Sequence, residues 1–85
     1  MLFIDNKYTR WYYDIVNRAK TRVLNSYTEK HHIIPKSLGG NNKIDNLVKL
    51  TAREHFICHW LLTKMVTGAE QKKMAYACKM MMHSH

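Results

Sequence analysis

The chain has 85 residues and a formal net charge of +8, with 14 lysines and arginines against 6 acidic residues. This length fits one domain with a modest core and excludes a catalytic domain joined to an independent specificity domain. The first residues, MLFIDNKYTR, hold too little apolar sequence for a signal peptide or membrane span, so we expect a cytoplasmic protein without membrane association. Cys58 and Cys78 lack the spacing of a zinc ribbon or a disulfide framework.

The positive charge predicts a polyanionic partner, and nucleic acid is the first candidate. The basic residues are spread along the chain instead of forming one tail, which favours a positive face on a folded body. A generic solvated surface or an anionic membrane surface is also compatible with this composition.

Residues 7–24 are predicted to form an N-terminal amphipathic helix. Apolar and aromatic residues recur there at intervals of three and four: Tyr8, Trp11, Tyr12, Ile15, Val16, Ala19 and Val23. Asp5 or Asn6 can cap its start. We expect the aromatic side chains to pack in the core and not to stack on nucleobases.

A β-hairpin is predicted in the middle of the chain. The stretch YTEKHHII at 27–34 is rich in strand-forming residues, and LVKL at 47–50 has a second apolar, β-branched pattern. The Gly- and Asn-rich residues 36–46 between them are typical of a long turn.

Two further helices are predicted after the hairpin. Thr51 and Glu54 have the spacing of a capping box, so a helix should begin at Ala52 and run to a glycine stop at Gly68. A basic, Met-rich helix is expected over about 69–82, followed by a disordered tail with His83 and His85. The fold class is therefore predicted to be α+β, with a short antiparallel hairpin packed on a helix and flanked by a helix at each end.

Four histidines occur at spacings that indicate a shared site. His31 and His32 are adjacent where the first strand meets Pro35, and side chains of neighbouring strand residues point to opposite faces unless the strand bends or ends. His55 and His59 are four residues apart and project from one helix face. Packing the hairpin on the helix would bring three of these rings to one metal ion. Each pair alone is also compatible with ordinary polar residues at a surface.

A resemblance to a known family is carried by the stretch EKHHIIPKSLGGNNKIDNLVKLTAREHFICHWLL. It is similar to the HNH endonuclease signature of the ββα-metal superfamily, especially that of phage-encoded homing-type enzymes. The resemblance covers about residues 27–65 and implies an HNH core there. It also implies a protein that acts in the cytoplasm of a phage-infected bacterium.

The resemblance implies specific roles for the histidines. His31, His55 and His59 would be metal ligands, and His32 would be the general base. Asn46 matches the middle asparagine, which is expected to pin the loop and orient the ring of His32.

Glu29 matches a glutamate that is expected to hold a neighbouring arginine or the hairpin, although an exposed strand carboxylate is an equal alternative.

The implied reaction is metal-dependent hydrolysis of DNA phosphodiester bonds, by nicking or double-strand cleavage, with 5′-phosphate and 3′-hydroxyl products. One divalent ion is expected, magnesium or manganese for activity, with zinc or nickel also able to bind. Many phage members of the family have Asp and Asn where this chain has His31 and His55, and three imidazoles suit zinc, nickel, cobalt or manganese better than magnesium.

Phosphate contacts are expected from Lys30, Lys36, Lys49 and Arg53. A homodimer or an accessory DNA-binding protein is a further expected partner, because no appended DNA-binding module is present in these residues. Two alternatives stay open. One is a small zinc-stabilised nucleic-acid-binding module with a closed structural site of His55 and His59, with or without Cys58 or Cys78. The other is an inactive HNH remnant acting through protein contacts of its Met-rich last helix.

Overall fold

The computed structural model describes residues 2–83, except for the side chain of His83, and shows an α+β fold. In chain order the elements are α1 (Lys7–Lys20), β1 (Glu29–His32), β2 (Leu47–Leu50), α2 (Ala52–Leu62) and α3 (Gly68–His83). The two strands pair antiparallel and pack with α2, and α1 and α3 flank this unit. The predicted fold class is confirmed.

Helix α1 is shorter than predicted. The side chain of Asn6 caps its start by accepting a hydrogen bond from the amide of Thr9 at 3.0 Å. The helix ends at Lys20 and not near Leu24. Val23, which would continue the apolar stripe, is 88% exposed, so no buried contact would stabilise a further turn.

The aromatic side chains of α1 are divided between core and surface. Tyr12 is fully buried and lies in the core together with Val16 and Ala19. Trp11 is 50% exposed, so the expectation that the whole series packs inside was wrong for this ring.

The hairpin has the predicted order, but its first strand is only four residues long. His31 pairs with Val48 and His32 with Leu47. After His32 the backbone turns toward the loop, where the amide of Ile33 donates to the carbonyl of Asn46 at 2.8 Å. Strand β1 thus has its last two residues in the histidine pair, His31 and His32.

Helix α2 begins at the predicted capping box, since Glu54 N donates to the Thr51 hydroxyl and Thr51 N to the Glu54 carboxylate. It ends at Leu62, earlier than predicted, because the chain turns there and buries Met65 and Val66 in the core. Gly68 was expected to stop α2 but instead opens α3, with a φ of +64° that glycine tolerates without strain.

Helix α3 starts one residue before the predicted helix and includes the backbone of His83, which was expected in a disordered tail. The rest of that expected tail, with His85, lies outside the described residues. No helix within residues 2–83 is long and apolar enough to cross a membrane.

Candidate metal centre

Three histidines from two separate segments meet between the hairpin and α2. The ring centroid of His31 on β1 lies 5.2 Å from that of His55 and 5.2 Å from that of His59, and the two α2 rings are 4.9 Å apart. One nitrogen from each ring can be chosen so that all three lie within 4.8 Å of one another. When the His, Cys, Asp and Glu side chains of residues 2–83 are compared, these three histidines are the cluster that could hold a metal ion.

The local fold explains this convergence. His31 is the inward-facing residue of β1, and it is 1% exposed. His55 and His59 are one turn apart on α2, whose start is fixed by the capping box. Strand alternation and helical periodicity thus aim the three side chains at one point.

The environment keeps two of these rings neutral. Burial, followed by the proximity of His59 and His55, lowers the pKa of His31 to about 3. Burial and the proximity of His55 lower the pKa of His59 to about 4. Neutral imidazoles carry the lone pair that a metal ligand needs.

His55 and His31 each have one ring nitrogen in a hydrogen bond. Nδ1 of His55 donates to the carboxylate of Glu29 at 2.8 Å, which leaves Nε2 of this ring for another contact. Nε2 of His31 lies 2.7 Å from the hydroxyl of Tyr12. Partners of this kind commonly orient metal-binding imidazoles.

Two of the remaining ring nitrogens are left unsatisfied within residues 2–83. Nδ1 of His31 and Nδ1 of His59 are both buried and have no hydrogen-bond partner in the described part of the chain. An unpaired buried polar atom costs about 1–3 kcal/mol, so these two atoms indicate a site built for a ligand that supplies the missing contacts.

The cysteines lie elsewhere in the fold. Cys58 is fully buried in the hydrophobic core and Cys78 is buried on α3. Neither belongs to the histidine cluster found within residues 2–83.

His32 lies beside the cluster and is held by a residue that sequence reasoning missed. Its Nε2 donates to Oδ1 of Asn42 at 2.7 Å. The expected partner, Asn46, instead pins the loop: its side chain accepts from the amide of Ile34 and donates to the carbonyls of Ile34 and Asn41. Asn46 therefore bonds within the loop, and the acceptor for Nε2 of His32 is Asn42.

Gly40 allows the loop to close this tightly. A Cβ atom at this position would lie 1.7 Å from the carbonyl oxygen of Ile34, so a larger residue would push the loop away from β1. The loop that carries Asn42 therefore depends on glycine here.

Glu54 is a carboxylate that holds an arginine. Both terminal nitrogens of Arg22 donate to Glu54, one of them at 2.7 Å, and this lowers the pKa of Glu54 to about 2. Glu29 contacts His55 and accepts a hydrogen bond from the Tyr27 hydroxyl at 2.6 Å. The sequence offered one signal for Glu54, its place in the capping box, and none for its pairing with Arg22.

The four basic residues expected to contact phosphate are all exposed, but they do not form one group. Lys30 and Lys49 lie opposite each other on the paired strands. They line one groove of about 580 Å³ together with two further cations, Lys20 and Arg22. Lys36 and Arg53 are not among the residues that line it.

Comparison with known proteins identifies a family. The profile of the HNH endonuclease family matches residues 18–61. Probable mobile endonuclease D of Enterobacteria phage T4 is 57% identical over 63 residues, which cover 68% of this chain and 24% of that protein. Probable mobile endonuclease E of the same phage is 51% identical over 59 residues, covering 68% of this chain and 42% of its own length.

Probable mobile endonuclease C, also of phage T4, is 45% identical over 65 residues, with 72% of this chain and 31% of the relative covered. The chain thus spans less than half the length of these curated relatives. No solved structure matches the chain at a significant level.

Proposed function

Because the chain belongs to the HNH endonuclease family, we propose that it hydrolyses phosphodiester bonds of DNA with the help of one divalent metal ion. The products would be a 5′-phosphate and a 3′-hydroxyl. The observation that carries this proposal is the convergence of His31, His55 and His59, with His32 beside them and held separately.

His32 is the proposed general base. Its Nε2 donates to Asn42, so the lone pair of a neutral ring is on Nδ1. A histidine can take a proton from water near neutral pH, and activation of water for in-line attack is what phosphodiester hydrolysis requires. His32 is half-buried at the end of β1, so solvent can reach it.

The metal would be held by His31, His55 and His59. When bound there, a divalent ion supplies positive charge to the scissile phosphate and to the departing oxygen. Three protein ligands leave coordination positions for water and substrate, whereas structural zinc sites are usually closed by four. This supports a catalytic site over a zinc-stabilised binding module. We propose magnesium or manganese for turnover, with zinc or nickel as tight binders of three imidazoles.

DNA is the proposed substrate, and the groove along the hairpin supplies its phosphate contacts. Lys20, Arg22, Lys30 and Lys49 line it, and Asp45 is the acidic residue among its lining residues. Lys36 and Arg53 are proposed to contact phosphates outside this groove. Whether a nick or a double-strand cut results depends on whether one copy or two copies act at a site.

A plasmid cleavage assay with a His32→Ala variant tests the proposal. We expect the wild-type chain to convert supercoiled DNA in the presence of Mn²⁺ or Mg²⁺, and the variant to lose this activity while binding Co²⁺ as tightly as the wild type. Equal cleavage by both proteins would eliminate His32 as the base. A wild-type protein that binds metal and DNA without cleaving would favour the inactive HNH remnant.

A further inference from the structure

Tyr12 of α1 touches the proposed metal site from outside the region that matches the family profile. That match begins at residue 18, whereas Tyr12 lies earlier in the helix. Its side chain is fully buried. Its hydroxyl oxygen lies 2.7 Å from Nε2 of His31 and 2.7 Å from the carbonyl oxygen of Ile33.

Counting hydrogens fixes the direction of both contacts. A tyrosine hydroxyl has one proton to donate, and a backbone carbonyl can only accept. The short contact to Ile33 therefore takes the hydroxyl proton, because two oxygens at that distance without a proton between them would repel each other. The contact to His31 then requires the imidazole to donate from Nε2.

We infer that Tyr12 is a positioning residue that sets the tautomer of His31, holding the proton on Nε2 and leaving the lone pair on Nδ1 for the metal. This agrees with the orphaned state of Nδ1, which is buried and unpartnered among the described residues. The inference rests on the proposed function, since it assumes that the three histidines bind a metal.

The arrangement gives α1 a specific role. Without a fixed partner, a neutral imidazole can place its proton on either nitrogen, and the tautomer with the proton on Nδ1 cannot offer this atom to a metal. Glu29 fixes His55 in the opposite sense, because it accepts from Nδ1 and leaves Nε2 free. Two different partners from two different segments thus select one donor atom on each ring.

The test is nitrogen-15 NMR of the histidine rings in the metal-free protein, combined with Co²⁺ titration. We expect His31 of the wild type to carry its proton on Nε2. The Tyr12→Phe variant removes the acceptor with little change in shape, so its His31 should show a mixture of tautomers and its Co²⁺ affinity should fall about 10–100-fold. Tyr13→Phe is the matched control, because it removes a hydroxyl from the next residue of α1 and keeps the ring contacts with Phe3 and Tyr12; it should match the wild type.

A wild-type His31 with its proton on Nδ1 would overturn the inference, and so would a Tyr12→Phe variant with unchanged tautomer and unchanged Co²⁺ affinity. The wild-type NMR result decides even if Tyr12→Phe does not fold. Failure of the wild type to bind Co²⁺ overturns the metal site itself, and it is distinguishable because the NMR measurement is made without metal.

Discussion

Asn42 holds the ring of His32 through a 2.7 Å hydrogen bond between its Oδ1 and Nε2 of the histidine. The two residues are ten positions apart: His32 ends β1, and Asn42 lies within the loop that joins β1 to β2. The side chain of Asn46 keeps that loop in place through hydrogen bonds with the backbone of Ile34 and Asn41. One asparagine therefore shapes the loop, and another orients the proposed base.

Replacement of Asn42 should lower the rate of cleavage without weakening metal binding. In Asn42→Ala the ring of His32 loses its acceptor, and we expect cleavage to slow about 10–100-fold at unchanged Co²⁺ affinity. Asn42→Asp keeps an oxygen acceptor and should retain most of the activity. Plasmid cleavage rates and Co²⁺ titration measure both effects, with Asn17→Ala, an exposed asparagine of α1, as the control. An unchanged rate in Asn42→Ala would show that the hydrogen bond is dispensable.

Loss of the Glu29 carboxylate should weaken the metal site. Glu29→Gln removes a charged acceptor from Nδ1 of His55, and the metal affinity should fall about 10–100-fold. Glu70→Gln makes the same chemical change at an exposed position of α3 and should leave the metal affinity unaltered. Co²⁺ titration compares the two variants. If both bind as the wild type does, Glu29 has no part in orienting His55.

The pair of Arg22 and Glu54 should stabilise the fold more than a surface ion pair does. Both side chains are only about a quarter exposed, at 23% and 22%. Arg22→Met would leave the Glu54 carboxylate without its main partner, which should lower the free energy of unfolding by about 1–3 kcal/mol. Arg18→Met, at an exposed position near the end of α1, should change the free energy of unfolding by less than about 0.5 kcal/mol. Urea denaturation measures the free energy of unfolding of both variants. Equal values for Arg22→Met and Arg18→Met would show that the Arg22–Glu54 pair stabilises the fold no more than a surface residue does.

Much of the fold follows from local sequence. LVKL at 47–50 forms the predicted strand, and Thr51 with Glu54 forms the predicted capping box, because these features depend on neighbours within a few residues. The helix ends were predicted less well. α2 stops at Leu62 because burial of Met65 and Val66 favours a turn there, and this depends on contacts with the rest of the core.

The site shows the same division. The spacing of His55 and His59 predicts a shared helix face, and strand alternation predicts that His31 points inward when His32 does not. The partners of these rings were missed. Tyr12 and Asn42 reach them only through tertiary packing, and the helical pattern of α1 marks Tyr12 merely as a core residue.

Removal of two groove cations should weaken DNA binding and slightly strengthen the hairpin. Lys30 and Lys49 are directly opposed on the two strands, and like charges in this arrangement repel. The double variant Lys30→Ala/Lys49→Ala should bind duplex DNA less tightly. The slope of the logarithm of the binding constant against the logarithm of the salt concentration should become less steep by about 0.9 for each phosphate that the protein no longer neutralises. Its free energy of unfolding should not decrease.

The matched control for the groove is Lys72→Ala/Lys79→Ala, which removes the same charge from two exposed positions of α3. Fluorescence anisotropy with a labelled duplex at several salt concentrations compares the two double variants. A larger effect from the α3 variant would place the DNA along α3 and not in the groove.

Metal removal should abolish cleavage but leave the protein folded. The core is built largely from apolar side chains outside the cluster, among them Leu50, Leu61 and Leu62, which are at most 1% exposed. Their burial contributes about 1.5–3 kcal/mol per side chain, independently of any ion. Bound metal adds to this by mass action, about 2.7 kcal/mol when its free concentration is 100 times the dissociation constant. Treatment with a chelator should therefore preserve the far-ultraviolet circular dichroism and lower the melting temperature.

A His55→Ala variant is the control for the chelator experiment. It lacks one donor of the cluster, so its melting temperature should not respond to chelator or to added Co²⁺. The opposite result would be cooperative loss of helical signal when the wild-type protein is stripped of metal. That outcome would favour a domain whose fold depends on zinc, because structural zinc sites supply folding free energy directly.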